Sequence, residues 1–127
     1  MESITFSADL DANIRLMQQV FQNDDTLIVR RAAGRGGLRC ALFFFDGMVN
    51  SLAINQSVVR PILRAECRAA TADELADRIL QTDECRVETD MNKLLTAFLY
   101  GDTIVLTDGD ARPVLVNTKG FDKRSTD

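Results

Sequence analysis

The sequence predicts one α/β domain, in which a small mixed β-sheet holds two antiparallel hairpins and about four helices pack on it. Length is the first observation, since 127 residues suit a single domain that buries about two-thirds of its unfolded surface. Composition is the second, because 46% hydrophobic and 27% charged residues are typical of a folded chain. The third is the alternation of helix-period segments with short β-rich runs.

A helix followed by a hairpin is predicted for the first third of the chain. Ser7 or Asp9 can cap the helix, and an apolar face begins at Leu10 and recurs at spacings of four, three and four residues. Two β-rich runs follow, TLIVRRA at 26–32 and LRCALFFF at 38–45. The AGRGG segment between them supplies glycines for a tight return, so we expect an antiparallel hairpin.

Two helical stretches are predicted in the middle of the chain. The first opens at Asn50 or Ser51 and runs to about Arg64, and Pro61 within it predicts a kink or two short helices that meet there. The second begins with a capping box in TADE at Thr71, where the threonine and the glutamate three residues later can each bond the other's backbone N–H.

A strand, a helix and a second hairpin are predicted for the last third. CRVET at 85–89 is a short strand candidate, and residues 91–100 form a helix that Gly101 can cap. The hairpin pairs 102–107 with 113–117 around DGDA. The pattern of helix end, Asp-Thr and β-branched strand repeats the first third, so either a duplicated helix–hairpin unit or chance accounts for it.

Composition argues against several classes of function. The chain has no histidine, which removes the usual general base and the commonest metal ligand. Cys40, Cys67 and Cys85 are widely spaced with no CxxC, so we expect core thiols and neither metal nor cofactor. A net charge of −4 argues against nucleic acid. The longest apolar run, CALFFF, is too short to span a membrane and the start lacks a signal-peptide plan, so a cytosolic chain is expected.

The first hairpin is strongly basic. Its residues 30–39 contain no acid and four arginines, namely Arg30, Arg31, Arg35 and Arg39. Such a patch can contact anionic membrane headgroups, or an acidic hairpin such as 102–112 on a neighbouring subunit or a second copy. Local pairing on a solvated face is the third explanation. The residues alone leave these alternatives open.

Two Asp-Gly pairs each follow a β-run, Asp46-Gly47 and Asp108-Gly109. Asp can bond the backbone two residues on and Gly can take positive φ, so turn formation explains both pairs, with a ligand contact as the alternative. GRGG at 34–37 is interpreted as a hairpin turn, since no Gly-Lys-Ser/Thr and no helix start follow it.

Three stretches together carry a family likeness: CALFFFDGMVN at 40–50, GDTIVLTDGDARPVLVNTKG at 101–120 and GFDKRS at 120–125. In that order they resemble the A subunit of bacterial spore germinant receptors, the GerA-type spore germination proteins. Phe121 stands where the family usually has tryptophan. The motifs do not separate a nutrient receptor from a sporulation-stage paralogue of the family.

The resemblance implies a place in a membrane complex. Family members lie in the spore inner membrane with a second integral-membrane subunit and a lipoprotein, sense nutrients and trigger germination. The A subunit begins on the cytoplasmic side with two small α/β subdomains, of which residues 1–118 resemble the first. Residues 119–127 then resemble a connector to a second soluble subdomain and a membrane region. An interdomain hinge is expected at Thr118, Lys119, Gly120, Phe121 and Arg124.

The function expected from this resemblance is non-catalytic, namely receptor assembly and signal transmission. The alternative is a germinant-binding module that captures a small molecule in a cleft with the following subdomain, which requires convergent polar groups in a concavity. An enzyme that uses Lys119 or a cysteine is the third hypothesis. It lacks a supporting base in the sequence, and a perturbed pKa at one of those side chains would favour it.

Overall fold

A five-stranded sheet forms the centre of the computed structural model, which describes residues 4–119. The strands follow the spatial order β1-β2-β4-β5-β3. Their bounds are β1 Leu27–Ala33, β2 Arg39–Phe45, β3 Cys85–Val87, β4 Thr103–Thr107 and β5 Asp110–Val116. Both predicted hairpins are present, β1 with β2 and β4 with β5.

Helical residues form four stretches, as the sequence predicted. The first and last are ordinary α-helices, and the two in the middle each contain a π-helical segment. In chain order they are α1 Leu10–Val20; α2 Ser51–Ile54, a first π segment Asn55–Val59 and α3 Arg60–Arg64; α4 Ala72–Glu74 and a second π segment Leu75–Ile79; and α5 Met91–Leu99.

The prediction of a mixed sheet is wrong in one respect, because each neighbouring pair of strands within residues 4–119 is antiparallel. The segment from β3 through α5 to β4 does place β3 and β4 parallel to each other. However, β5 returns from its hairpin into the gap between them and pairs with both. β3 and β4 therefore run in the same direction but are not neighbours in the sheet.

Helices cover both faces of the sheet. Alternate residues of β2 point to opposite sides, with Phe43 in a cluster under α1 and α5 and Leu42 in a cluster under the two central helical stretches. The first cluster includes Phe21, Phe45 and Phe98, whose ring centroids lie 4.6–5.7 Å apart. Because both faces are covered, the central strand β4 is buried along its whole length and has a nearly continuous apolar sequence.

The helical stretch from Ser51 to Arg64 continues through Pro61 instead of dividing into two helices. Val59 and Arg60 both keep right-handed helical dihedrals, and the turn before the proline widens to a π segment. Pro61 has no N–H, so the Ser57 carbonyl lacks its usual donor four residues on. The Gln81 N–H donates to that carbonyl at 3.0 Å. The proline thus frees an acceptor that ties the two central helical stretches together.

The two helix–hairpin segments lie side by side. They are α1-β1-β2 and α5-β4-β5, joined through the β2–β4 pairing. This arrangement fits the repeated sequence pattern, although it does not decide between duplication and chance. Over residues 4–119, each helix falls short of the length and hydrophobicity needed to cross a bilayer.

Candidate functional site

A buried polar cluster lies where the chain leaves β5. The Thr118 hydroxyl donates to the Gly101 carbonyl at 3.1 Å and lies 2.6 Å from the Thr103 hydroxyl. Since the Thr118 proton is directed at Gly101, Thr103 is the donor between the two hydroxyls. Both threonines are buried. Buried hydroxyls require such partners, so this geometry holds the end of β5 in one position.

An ion pair lies at the surface of the same cluster. Lys119 Nζ is 2.6 Å from Asp102 Oδ1, and the aspartate side chain is only 8% exposed. Val49 forms an isolated antiparallel bridge with Lys119, and the Asn50 N–H donates to the Thr118 carbonyl at 2.8 Å. We call Gly101, Asp102, Thr103, Thr118 and Lys119 the C-terminal cluster.

Glycine is required at the centre of the C-terminal cluster. Gly101 ends α5 with φ +110°, in the left-handed region that other residues rarely adopt. A Cβ at this position would also lie 2.8 Å from the Met48 carbonyl oxygen. The sequence predicted the cap correctly but gave no sign of this close approach of two backbone segments.

Exposed apolar side chains lie on the two segments that adjoin the C-terminal cluster. Leu99 and Tyr100 at the end of α5 are 47% and 65% exposed, and Met48 on the adjoining turn is 40% exposed. Beside them is an open groove of about 530 Å³. Its lining combines the ring of Tyr100 with polar side chains, and consists of Arg86, Asn92, Lys93, Thr96, Ala97, Tyr100 and Lys119.

The basic hairpin is paired within the chain. Arg31 and Arg39 both contact Asp11 of α1, at 2.9 and 3.0 Å, and Arg39 also reaches Asp108 at 3.1 Å. The hydrogen bond from Arg31, followed by that from Arg39, lowers the pKa of Asp11. These contacts join the first hairpin to α1, which favours the local-pairing explanation for two of the four arginines.

The other two predicted arginines have weaker contacts. Arg30 donates to the Asn55 side chain at 3.2 Å, and Arg35 lies 4.0 Å from Glu66, with both partners largely exposed. Exposed pairs of this kind contribute little to stability. Arg30 and Arg35 therefore remain available to an outside partner, and the role of the patch in assembly or membrane contact stays a prediction.

Both Asp-Gly pairs form turns, and they differ in what the aspartate does. Gly47 and Gly109 have φ values of +86° and +102°. Asp108 Oδ1 accepts the N–H of Leu10 at 3.0 Å, so this turn anchors the start of α1. Asp46 is exposed and contributes only its N–H, which donates to the Thr26 carbonyl at 2.7 Å.

Cys40 and Cys85 are not activated as nucleophiles. Burial raises the pKa of Cys40 to about 12, and burial also raises the pKa of Cys85. Reactive cysteines have lowered values, so both shifts are in the opposite direction. Within the described part of the chain, no three side chains of the metal-binding types converge.

The predicted hinge included Thr118 and Lys119, which lie in the C-terminal cluster, but not their partners Asp102 and Thr103 at the start of β4. The hinge role itself stays a prediction. The acidic residues of 102–112 were noted only as a group, although Asp102 follows the glycine cap directly and that position was a usable signal. Gly120, Phe121 and Arg124 lie outside the described residues, as does the connector beyond Lys119.

Residues 15–127 match the family model for the Bacillus/Clostridium GerA spore germination protein. The spore germination protein GerLA of Bacillus cereus is 30% identical over 102 residues, which are 78% of this chain and 21% of that protein. Spore germination protein KA of Bacillus subtilis is 20% identical over 126 residues, 96% of this chain and 23% of that protein. The chain therefore spans less than a quarter of the length of these relatives.

A solved structure shares the fold. It is the N-terminal domain of the A subunit of the Bacillus megaterium spore germinant receptor GerK3, with a TM-score of 0.65 and 18% sequence identity. The match covers 95% of this chain and 50% of that chain. At this identity the likeness establishes the architecture, and the solved domain is about twice as large as the matched region.

Proposed function

Because this chain belongs to the Bacillus/Clostridium GerA spore germination protein family, we propose that it is a non-catalytic module of a germinant receptor A subunit. In this proposal it acts on the cytoplasmic side of the spore inner membrane, in receptor assembly and in signal transmission. Its partners are a second soluble subdomain of the same protein, a second integral-membrane subunit and a lipoprotein. The raised pKa values of Cys40 and Cys85 support a role without nucleophilic catalysis.

The observation that carries the proposal is the C-terminal cluster. It fixes Thr118 and Lys119 to the start of β4, at the centre of the sheet, through two hydroxyls and a short ion pair. A segment held in this way cannot move independently of the sheet. Force or displacement at residues beyond Lys119 would therefore reach the central strands, which is what a transmitting junction requires.

The apolar surface beside the cluster supports an interdomain contact. Tyr100, Leu99 and Met48 are exposed. Leu99 and Tyr100 shortly precede Asp102, and Met48 precedes Val49; both Asp102 and Val49 pair with Lys119. Aromatic and methionine side chains are enriched in the buried centres of interfaces. We expect the following subdomain to cover these side chains, with Lys119 at the hinge.

Hydrogen exchange tests this contact. The 127-residue chain is compared with a longer chain that contains the following region of the same A subunit. Slower exchange at residues 97–102 in the longer chain, with residues 10–20 of α1 unchanged as the internal control, is the expected result. Equal exchange at residues 97–102 in both chains would contradict the interdomain contact.

A second candidate function is germinant binding in the groove beside Lys119. Amide, hydroxyl and cationic side chains converge there on the ring of Tyr100, as a site for a small polar nutrient needs. An amide NMR titration with amino acids, nucleosides and sugars tests it. Saturable shifts at Asn92, Thr96 and Tyr100 that Asn92→Ala weakens would establish binding, and a flat response would exclude it for this chain.

The basic hairpin is the proposed assembly surface. Arg30 and Arg35 offer the exposed guanidinium groups, since Arg31 and Arg39 are joined to Asp11. Charge reversal at Arg30 and Arg35 is expected to weaken either vesicle binding or receptor assembly. Charge reversal at Arg15 serves as the control, because it removes an exposed positive charge of α1 outside the hairpin. If charge reversal leaves both vesicle binding and assembly intact, the patch has neither role.

A further inference from the structure

A basic cleft lies on the other side of the sheet from α1 and α5. It has a volume of about 460 Å³ and opens between α3 and the second π segment. Three arginines, two glutamines and a few apolar atoms form its walls, namely Gln56, Arg60, Pro61, Arg64, Ala65, Arg78, Ile79 and Gln81. Gln56, Arg60 and Arg64 follow one another at four-residue spacing, so they share one face of the helical stretch.

The three guanidinium groups of this cleft have no salt-bridge partner in the described part of the chain. Among residues 4–119, the salt bridges involve other cations and leave out Arg60, Arg64 and Arg78. The neighbouring carboxylates of α4 are engaged elsewhere. Asp73 pairs with Arg112 at 2.9 Å, and Glu74 accepts the Thr71 N–H in the capping box at 2.9 Å.

The backbone on the two sides of the cleft contains π-helical turns and is joined by a main-chain hydrogen bond. Each wall contains one of the two π segments, and π-helical turns are rare and occur frequently at functional sites. The bond from Gln81 N–H to the Ser57 carbonyl joins the walls at 3.0 Å, and Pro61 makes that carbonyl available. The spacing between the arginines of α3 and Arg78 is therefore constrained by a main-chain hydrogen bond as well as by side-chain packing.

We propose that this cleft binds a compact oxyanion that carries several negative charges, of the diphosphate or phosphate-diester class. Planar guanidinium groups donate paired hydrogen bonds that match phosphate oxygens, and three of them converge here without a competing carboxylate in the lining. The two glutamine amides supply further donors to the same oxygens. The ligand source is either a free phosphate compound or the headgroup of an anionic phospholipid.

Calorimetric titration and vesicle flotation test the cleft on the 127-residue chain. Inorganic pyrophosphate is the free probe, and vesicles of phosphatidylcholine with phosphatidylglycerol are the lipid probe, with pure phosphatidylcholine as the blank. We expect Arg60→Gln and Arg78→Gln each to weaken binding by about fivefold or more, because each removes a charge-assisted contact. Arg15→Gln is the matched control, since it removes one exposed charge from α1 on the opposite face of the sheet.

The probes distinguish the two sources. Pyrophosphate binding that the cleft variants weaken and the control preserves supports a free phosphate ligand. Binding to the anionic vesicles alone, with the same dependence on Arg60 and Arg78, supports a phospholipid headgroup. Binding to neither probe, or binding that the cleft variants leave unchanged, overturns the proposal. Circular dichroism of each variant verifies that these exposed substitutions keep the fold.

Discussion

Thr118 illustrates how one hydroxyl can hold two segments of the chain at a junction. It donates to the Gly101 carbonyl and accepts from the Thr103 hydroxyl, both in a buried environment. Neither partner has access to bulk water as a replacement. The junction therefore depends on a few atoms, and its strength can be measured by removing them one at a time.

Thr118→Val is predicted to lower the free energy of unfolding by about 1–3 kcal/mol, because it leaves a buried donor and a buried acceptor without a partner. Thr103→Val is expected to cost less, since Thr118 still donates to Gly101 in that variant. Urea denaturation of both single variants and of the double variant measures the coupling between the two hydroxyls.

The control for this cycle is Thr96→Val on the exposed face of α5, where a change within about 0.5 kcal/mol is expected. The double variant should be less destabilised than the sum of the single ones, because it leaves fewer unpaired groups. Additive effects of the two buried substitutions would contradict the shared hydrogen bond.

Among the secondary-structure elements, Asp110 joins β5 to the start of α4. One carboxylate oxygen accepts the Ala72 N–H at 2.7 Å, and both oxygens contact the Arg112 guanidinium at 2.8 and 3.1 Å. The pKa of Asp110 is lowered to about 2. The hydrogen bond from the Arg112 side chain is the largest cause, and the backbone N–H groups of Ala72 and Arg112 lower the pKa further. The Asp110 side chain is 13% exposed and the Arg112 side chain is 41% exposed, so solvent screens this pair in part.

The lowered pKa predicts a dependence of stability on pH. The folded value of about 2 lies below the unfolded value of about 3.9, so the stabilisation is fully present above pH 4 and is lost as the pH falls towards 2. Its size is on the order of 2 kcal/mol. Asp110→Asn should be less stable than the parent chain at neutral pH, and the difference should shrink in that window.

Thermal or urea unfolding of both chains between pH 2 and pH 7 measures this difference. Asp46→Asn is the matched control, because the exposed Asp46 carboxylate lies in the turn that follows β2. A difference between Asp110→Asn and the parent chain that stays constant down to pH 2 would contradict the assigned network.

The first hairpin turn packs closely against the segment that follows α3. A Cβ at Gly36 would lie 1.9 Å from the Glu66 carbonyl oxygen, so Gly36→Ala must displace backbone and is predicted to cost about 3 kcal/mol. At Gly47 a Cβ meets nothing within 4 Å. Only the left-handed φ of +86° opposes that substitution, so Gly47→Ala should cost about 1 kcal/mol. Equal losses in the urea unfolding of the two variants would refute this explanation.

Local patterns predicted most elements, and long-range contacts explain what they missed. The capping box at Thr71, the glycine cap at Gly101 and the alternation in both hairpins depend on neighbouring residues, so they could be identified in the sequence. The contact between the first π segment and Gln81, and the antiparallel order that follows from the return of β5 into the sheet, both involve other elements. Such partners are distant along the chain.

At the scale of the whole molecule, some residues of the candidate site could be named from the sequence, and others are brought to it only by the fold. The family resemblance identified Thr118 and Lys119, whereas Asp102 became a partner only once β5 lay beside β4. The arginines of the first hairpin looked like one free patch in sequence. The fold brings Asp11 from α1 to two of them, and so divides the patch into paired and available residues.

The topology gives the C-terminal cluster its place in the proposed function. β4 lies between β2 and β5, and both faces of the sheet are covered, so a displacement at the cluster acts on the most buried strand. We propose that the sheet then responds as one body to a change at the predicted hinge. This is a proposal about transmission, and it predicts that the cluster affects signalling more than it affects receptor abundance.

The most direct test is nutrient-triggered germination, measured per receptor molecule, in spores whose full-length A subunit carries Lys119→Met. We predict a rate at least about fivefold lower at near-normal receptor abundance, because the proposed hinge is uncoupled from the sheet. Arg15→Met, which removes an exposed cation of α1 outside the groove and leaves the Asp102 pair intact, should germinate normally. An unchanged rate per receptor in Lys119→Met would contradict the central claim.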